Sequence, residues 1–184
     1  MKVQQTQKTV LSILCAGMLF TACKKEATSA NEEELITTVK IVLSHPTTKA
    51  PIDSFIFKDA DGVGGNAPSK FDTIRLQTNT SYLCNVYFLN ESVSPADNIT
   101  EEIKEEGADH QLYFTTTAAT LNIDSLNTDA NNLPLGLTSR WVTQAASNGT
   151  TTVTLKHKPG IKASGDLISK GETDIEIAFP TIIR

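Results

Sequence analysis

Beyond residue 34 the chain is built from short runs in which apolar and polar side chains alternate. In Leu35-Ile36-Thr37-Thr38-Val39-Lys40-Ile41-Val42-Leu43, the residues Leu35, Val39, Ile41 and Leu43 share one parity. A period of two puts them on one face of a pleated strand and predicts burial of that face. Residues 52–58 repeat the pattern with Phe55 and Phe57 against Ser54 and Lys58, and residues 81–90 place Tyr82, Cys84, Val86 and Phe88 together. Further strands are predicted over 72–77, 111–117, 120–124, 138–143, 151–157 and 174–179. On this parity Val39, Ile41, Val86, Phe88, Val153, Leu155, Ile175 and Ile177 should line one core.

One segment departs from the period of two. Asn98-Ile99-Thr100-Glu101 has the form of a capping box, and helix formers continue to Glu106 before Gly107. A short helix over 98–106 follows, with Ile99 and Ile103 on one face. About nine short strands punctuated by turns, with one such helix, define a mostly β domain over 35–184: an antiparallel β-sandwich, immunoglobulin-like or related.

The first residues carry a different pattern. Met1 to Thr9 are polar with two lysines, Val10 to Phe20 are almost wholly apolar, and Thr21-Ala22 are small. This is the order of a secretory signal over 1–22, and its apolar run is too short for a permanent membrane span. Leu19-Phe20-Thr21-Ala22-Cys23 resembles a bacterial lipobox, with Phe20 where leucine is usual. The resemblance implies acylation of Cys23, and several acyl chains at about 0.8 kcal/mol per buried CH₂ make a stable anchor. Residues 23–34 then form the lipidated cysteine and a flexible polar tether.

Charge and cysteine content narrow the partners. Lys2 and Lys8 precede Cys23 and none of the 21 acidic residues does, so the chain from Cys23 onward keeps 14 basic residues and a formal charge of −7. Nucleic acid is an unsuitable partner for such a surface. With Cys15 in the leader and Cys23 acylated, Cys84 has no intrachain disulfide partner and reads as a small buried apolar residue.

The runs Asn31-Glu32-Glu33-Glu34-Leu35-Ile36-Thr37-Thr38-Val39, Asp59-Ala60-Asp61-Gly62-Val63-Gly64-Gly65-Asn66, Leu89-Asn90-Glu91-Ser92, Ile99-Thr100-Glu101-Glu102 through Asp109-His110-Gln111, and Gly171-Glu172-Thr173-Asp174-Ile175 resemble an uncharacterised envelope lipoprotein family of Bacteroidota. The resemblance implies an address, an outer-membrane lipoprotein facing the periplasm or the cell surface, and no activity. Asp72-Thr73-Ile74 and Asp124-Ser125-Leu126 also resemble the Asp-Ser/Thr-aliphatic sites of periplasmic O-glycosylation, provided the hydroxyl is exposed.

Catalytic signatures are scarce: no nucleophile elbow, zinc helix, P-loop or dinucleotide fingerprint occurs. His45, His110 and His157 lie in separate segments, and His157 reads as a hydrogen-bonded histidine at a strand end. Glu102, Glu106 and His110 follow a spacing of four, but Gly107 should end the helix first, which leaves a solvated acidic face. The acidic loops at Asp59 and at Asn127 to Asn132 read as turns. The first also opens with the spacing of a calcium loop, with Asp59, Asp61 and Asn66 as metal ligands, although Lys70 stands at the twelfth position where an EF-hand needs glutamate. The expectation is a membrane-anchored, non-catalytic binding or structural module for a glycan, a protein or a small ligand. The alternatives are a hydrolase whose site assembles only in three dimensions, and a closed barrel carrying an apolar ligand.

Overall fold

The computed structural model describes residues 35–62 and 65–184. Cys23, the leader and the tether lie outside the described residues. Ten strands and one helix follow in the order β1 (Thr38–Ser44), β2 (Pro51–Lys58), β3 (Lys70–Phe71), β4 (Ile74–Leu76), β5 (Ser81–Leu89), α1 (Ile99–Glu105), β6 (His110–Thr116), β7 (Leu121–Asp124), β8 (Thr138–Thr143), β9 (Ser147–His157) and β10 (Glu172–Ile183). They form a six-stranded sheet, β3-β2-β1-β5-β8-β7, and a four-stranded sheet, β4-β10-β9-β6, which together make a sandwich. The larger sheet is antiparallel throughout, whereas β4 runs parallel to β10 in the smaller one. Both sheets keep open edges, so the closed-barrel alternative is not the architecture.

The alternating runs explain the layers. Val39, Ile41 and Leu43 of β1, with Tyr82, Cys84, Val86 and Phe88 of β5, face Leu112, Val153, Leu155, Ile177 and Phe179 of the smaller sheet across one core. Each large side chain so buried contributes about 1.5–3 kcal/mol relative to exposure. Trp141 of β8 is fully buried, donates from Nε1 to Ser139 Oγ, and meets Phe114 of β6 edge to face at 6.0 Å. At the other side Phe71 makes edge contacts with Phe57 at 5.4 Å and Phe179 at 5.8 Å, again tying one sheet to the other. Gly149 of β9 lies so close to the crossing segment that a Cβ there would collide with the backbone N of Ala118.

Several expectations are corrected. Leu35 precedes β1 and is 56% exposed, because the strand starts only at Thr38 and the parity has no partner to act on before it. The strand predicted over 72–77 is confined to Ile74–Leu76, and Lys70–Phe71 forms a separate short edge strand. β9 and β10 each extend beyond the predicted runs, back to Ser147 and on to Ile183. Pro180 does not end β10, since β4 joins only from Thr181 and the strand is a free edge on that side until then. The capping box does not form: Asn98 makes no side-chain cap, and Glu101 pairs with Lys104 at 2.8 Å instead.

The helix acts as a cover. β8 pairs with β5 only from Ser81 to Asn85, and beyond that Thr100 of α1 closes the ladder: its Oγ1 accepts the Phe88 N–H at 2.8 Å and donates to the Phe88 carbonyl at 3.1 Å. Ile99 and Ile103 bury the predicted face below it. Among the described residues no helix is long and apolar enough to cross a membrane.

Candidate functional site

Where the chain enters β1, the end of β2 and the start of β10 diverge and leave a cleft of about 460 Å³ between the two sheets. Ile36, Phe57, Ile175 and Ile177 make its walls apolar, and Asp59, Asp174 and Glu176 add carboxylates. Local irregularity on β10 creates part of this lining. Thr173 pairs with Lys156 and Ile175 with Leu155, so Asp174 is the extra residue of a bulge, a device that re-aims a side chain out of the ladder.

The polar groups of the cleft differ in how they are held. Glu176 accepts a hydrogen bond from Thr154 Oγ1 at 3.0 Å, and Thr173 Oγ1 accepts one from Lys156 Nζ at 2.7 Å. Asp59 is 8% exposed; its backbone N–H donates to the Thr37 carbonyl, while its Oδ1 is buried without a hydrogen-bond partner among the described residues. Among the described lining residues there are three carboxylates and no basic side chain.

Of the proposed calcium ligands, Asp59 and Asp61 come together and Asn66 serves Asp61. Asp61 Oδ2 accepts the Asn66 N–H at 2.9 Å and the Asn66 side-chain amide at 2.7 Å. These bonds hold its carboxyl below the usual range, with a smaller contribution from the adjacent Asp59 carboxyl. The bonds are those of a self-closed turn. Among the described residues no three His, Cys, Asp or Glu side chains converge in a way that could hold a metal ion.

None of the three histidines lines the cleft. His45 is exposed, its Nδ1 3.2 Å from the backbone N–H groups of Thr47 and Thr48. His110 opens β6, where its ring stacks on that of His157 at 4.8 Å and its Nδ1 lies 3.2 Å from the Glu106 carbonyl. Burial pushes the pKa of His110 down. Glu102 and Glu106 stay exposed on the far side of the helix. Partial desolvation against the helix surface, with Asp97, Glu106 and Glu105 close by, raises the pKa of Glu102. Of the two hydroxyls with glycosylation-like flanks, Ser125 is exposed and donates to Asp124 Oδ1, whereas Thr73 is half-buried.

A second polar cluster was not foreseen from the residues. Lys158, fully buried, donates to Gln111 Oε1 at 3.0 Å and to the Tyr113 hydroxyl, and lies 3.6 Å from Asp166. Burial lowers its pKa, and the nearby Asp166 opposes the shift. Lys162 reaches the Gly107 carbonyl and Asp129, each at 2.7 Å. These contacts fasten the connection between β9 and β10 over the outer face of the smaller sheet. Each donor already has acceptors, so the cluster is a fastening and not a ligand site.

The fold and site thus define a two-sheet β module with a ligand-sized, acid-lined cleft at one end. Compared with family models, curated proteins and solved structures, the chain matches none of them.

Proposed function

We propose that this protein is a non-catalytic binding module of the bacterial cell envelope, held to a membrane by lipid on Cys23, which takes a small ligand in the cleft between its sheets. The anchoring half rests on the order of regions before Cys23. The observation that carries the binding half is the cleft itself: its volume falls within the roughly 300–1,000 Å³ typical of small-molecule sites, and apolar walls surround a few polar groups. Among the described lining residues no histidine stands beside a carboxylate, the pairing that would have favoured a hydrolase with a histidine base.

One protein tests both halves. In cell fractionation Cys23→Ser should move the chain from the membrane pellet to the soluble fraction, still folded. The soluble form is then screened by thermal melting against glycans, peptides and small organic ions, beside the same form carrying Ile175→Trp, which fills the cleft. A ligand that raises the melting temperature of the first and not of the second supports the reading. Retention of Cys23→Ser in the pellet would sink the anchor, and equal shifts in both forms would sink the cleft as the binding site.

A further inference from the structure

We propose that the cleft recognises an organic cation carrying N–H groups on an apolar body, a primary amine or a guanidinium; this deepens the binding reading above and rests on it. Asp59 lines the cleft, is more than nine-tenths buried, has its carboxyl beside that of Asp61, and leaves Oδ1 without a hydrogen-bond partner among the described residues. A carboxylate oxygen only accepts, so what completes it must donate. The protein's own nearby cations are engaged elsewhere: Lys58 with Glu91 at 3.1 Å, Lys70 with Asp72 at 3.0 Å, and Lys156 with Thr173. The Asp61 carboxyl, beside that of Asp59, adds negative charge at this end, whereas the Glu176 carboxylate is turned to the outer face of β10, where it bonds Thr154.

The remaining chemistry chooses between kinds of cation. A calcium ion takes six to eight oxygen ligands, and among the described residues no three acidic, histidine or cysteine side chains converge to begin such a shell. Nor would a bare ion use the apolar surface of Ile36, Phe57, Ile175 and Ile177. A quaternary ammonium matches the charge but has no N–H to give Asp59. A neutral alkyl ligand matches the walls and leaves the carboxylate unmet. A neutral alcohol on the same body would also donate to the carboxylate, but only an N–H-bearing cation adds the charge that makes the bond a charge-assisted one.

The test uses the chain from residue 23 onward with Cys23→Ser, titrated calorimetrically with hexylamine, hexan-1-ol and hexyltrimethylammonium. Hexylamine should bind at least about tenfold more tightly than either analogue, the size expected for one charge-assisted hydrogen bond. Asp59→Asn should bring its affinity down to that of hexan-1-ol, and Ile175→Trp should abolish binding. Equal affinity for all three probes, or unchanged hexylamine binding in a folded Asp59→Asn, overturns the cation while leaving the cleft an apolar site. Hexylamine binding that survives Ile175→Trp overturns the inference by placing the amine elsewhere. If no probe binds, the inference falls, and the wider reading stands only if another ligand from the screen is lost in Ile175→Trp. Should Asp59→Asn fail to fold, the three-probe comparison on the Asp59 form decides alone.

Discussion

Lys162 Nζ lies 2.7 Å from Asp129 Oδ2, and each side chain is only 1% exposed. Three loops meet there, because Lys162 also bonds the Gly107 carbonyl, and Asp129 Oδ1 takes the N–H groups of Asn131 and Leu133. Burial by itself raises the Asp129 pKa, but Lys162 and the two N–H bonds outweigh it, so the carboxyl stays below its usual range. Removing one member of such a buried pair costs about 3–5 kcal/mol because the other charge is stranded. Lys162→Met should show a loss of that size in urea unfolding. Adding Asp129→Asn, which keeps an acceptor for the two N–H groups, should recover much of it. A loss below about 1 kcal/mol for the single variant would mean that the pair is solvated and not buried.

Thr100 stands in for a missing strand at Phe88. Thr100→Val keeps the shape and leaves the Phe88 N–H and carbonyl without their partner. An unmet buried group costs about 1–3 kcal/mol, so a destabilisation of about 2 kcal/mol or more is expected, with Thr100→Ser close to the original. Equal melting temperatures for the valine and serine variants would show that water serves Phe88 instead.

Asp124 pairs with Arg140 through two bonds, at 2.7 and 2.8 Å, and the guanidinium brings its carboxyl down to about 2. A depressed folded-state pKa contributes stability that is present above the ordinary value of 3.8 and lost as pH falls toward 2. The stability difference between the original chain and Asp124→Asn should therefore be full at pH 7 and shrink steadily below about pH 4. A difference independent of pH would remove the ion pair as its cause.

Asp59 should be a burden in the absence of ligand. Replacing the residue by alanine removes a buried acceptor without a partner among the described residues, so Asp59→Ala should raise stability by about 1 kcal/mol. Calorimetric melting of the two forms decides it; a lower melting temperature in the variant would show that the carboxylate supports the loop it opens.

The sheets were legible because burial acts on alternate residues. All eight residues assigned to the core pack there, with Ile175 only partly covered. Parity failed at Leu35, where no neighbouring strand gives the alternation a face to bury. The loop at Asp59 could be singled out from its residues, but nothing in them announces that Asp174 and Glu176, more than a hundred positions away, share its cleft. The buried lysines were invisible for a different reason. Lys158 and Lys162 flank Pro159-Gly160 in what reads as an exposed turn, and only the fold brings Gln111, Tyr113 and Asp129 to them.

β10, one of the two interior strands of the smaller sheet, is also the last of the described strands in chain order. Its residues Thr181 to Ile183 hold β4, which sits more than a hundred positions earlier, and its whole length holds β9. Until Ile183 is available, β4 has no ladder to join and β9 has an open side, so the two halves of the sandwich cannot close. The pathway is dominated by contacts distant in sequence and should be slow. A chain delivered from its amino end, by a ribosome or through a secretory pore, can therefore pair the larger sheet early, but leaves the smaller one open until β10 has emerged. A break within the twelve residues of β10 should open the smaller sheet at its interior and not merely trim its edge.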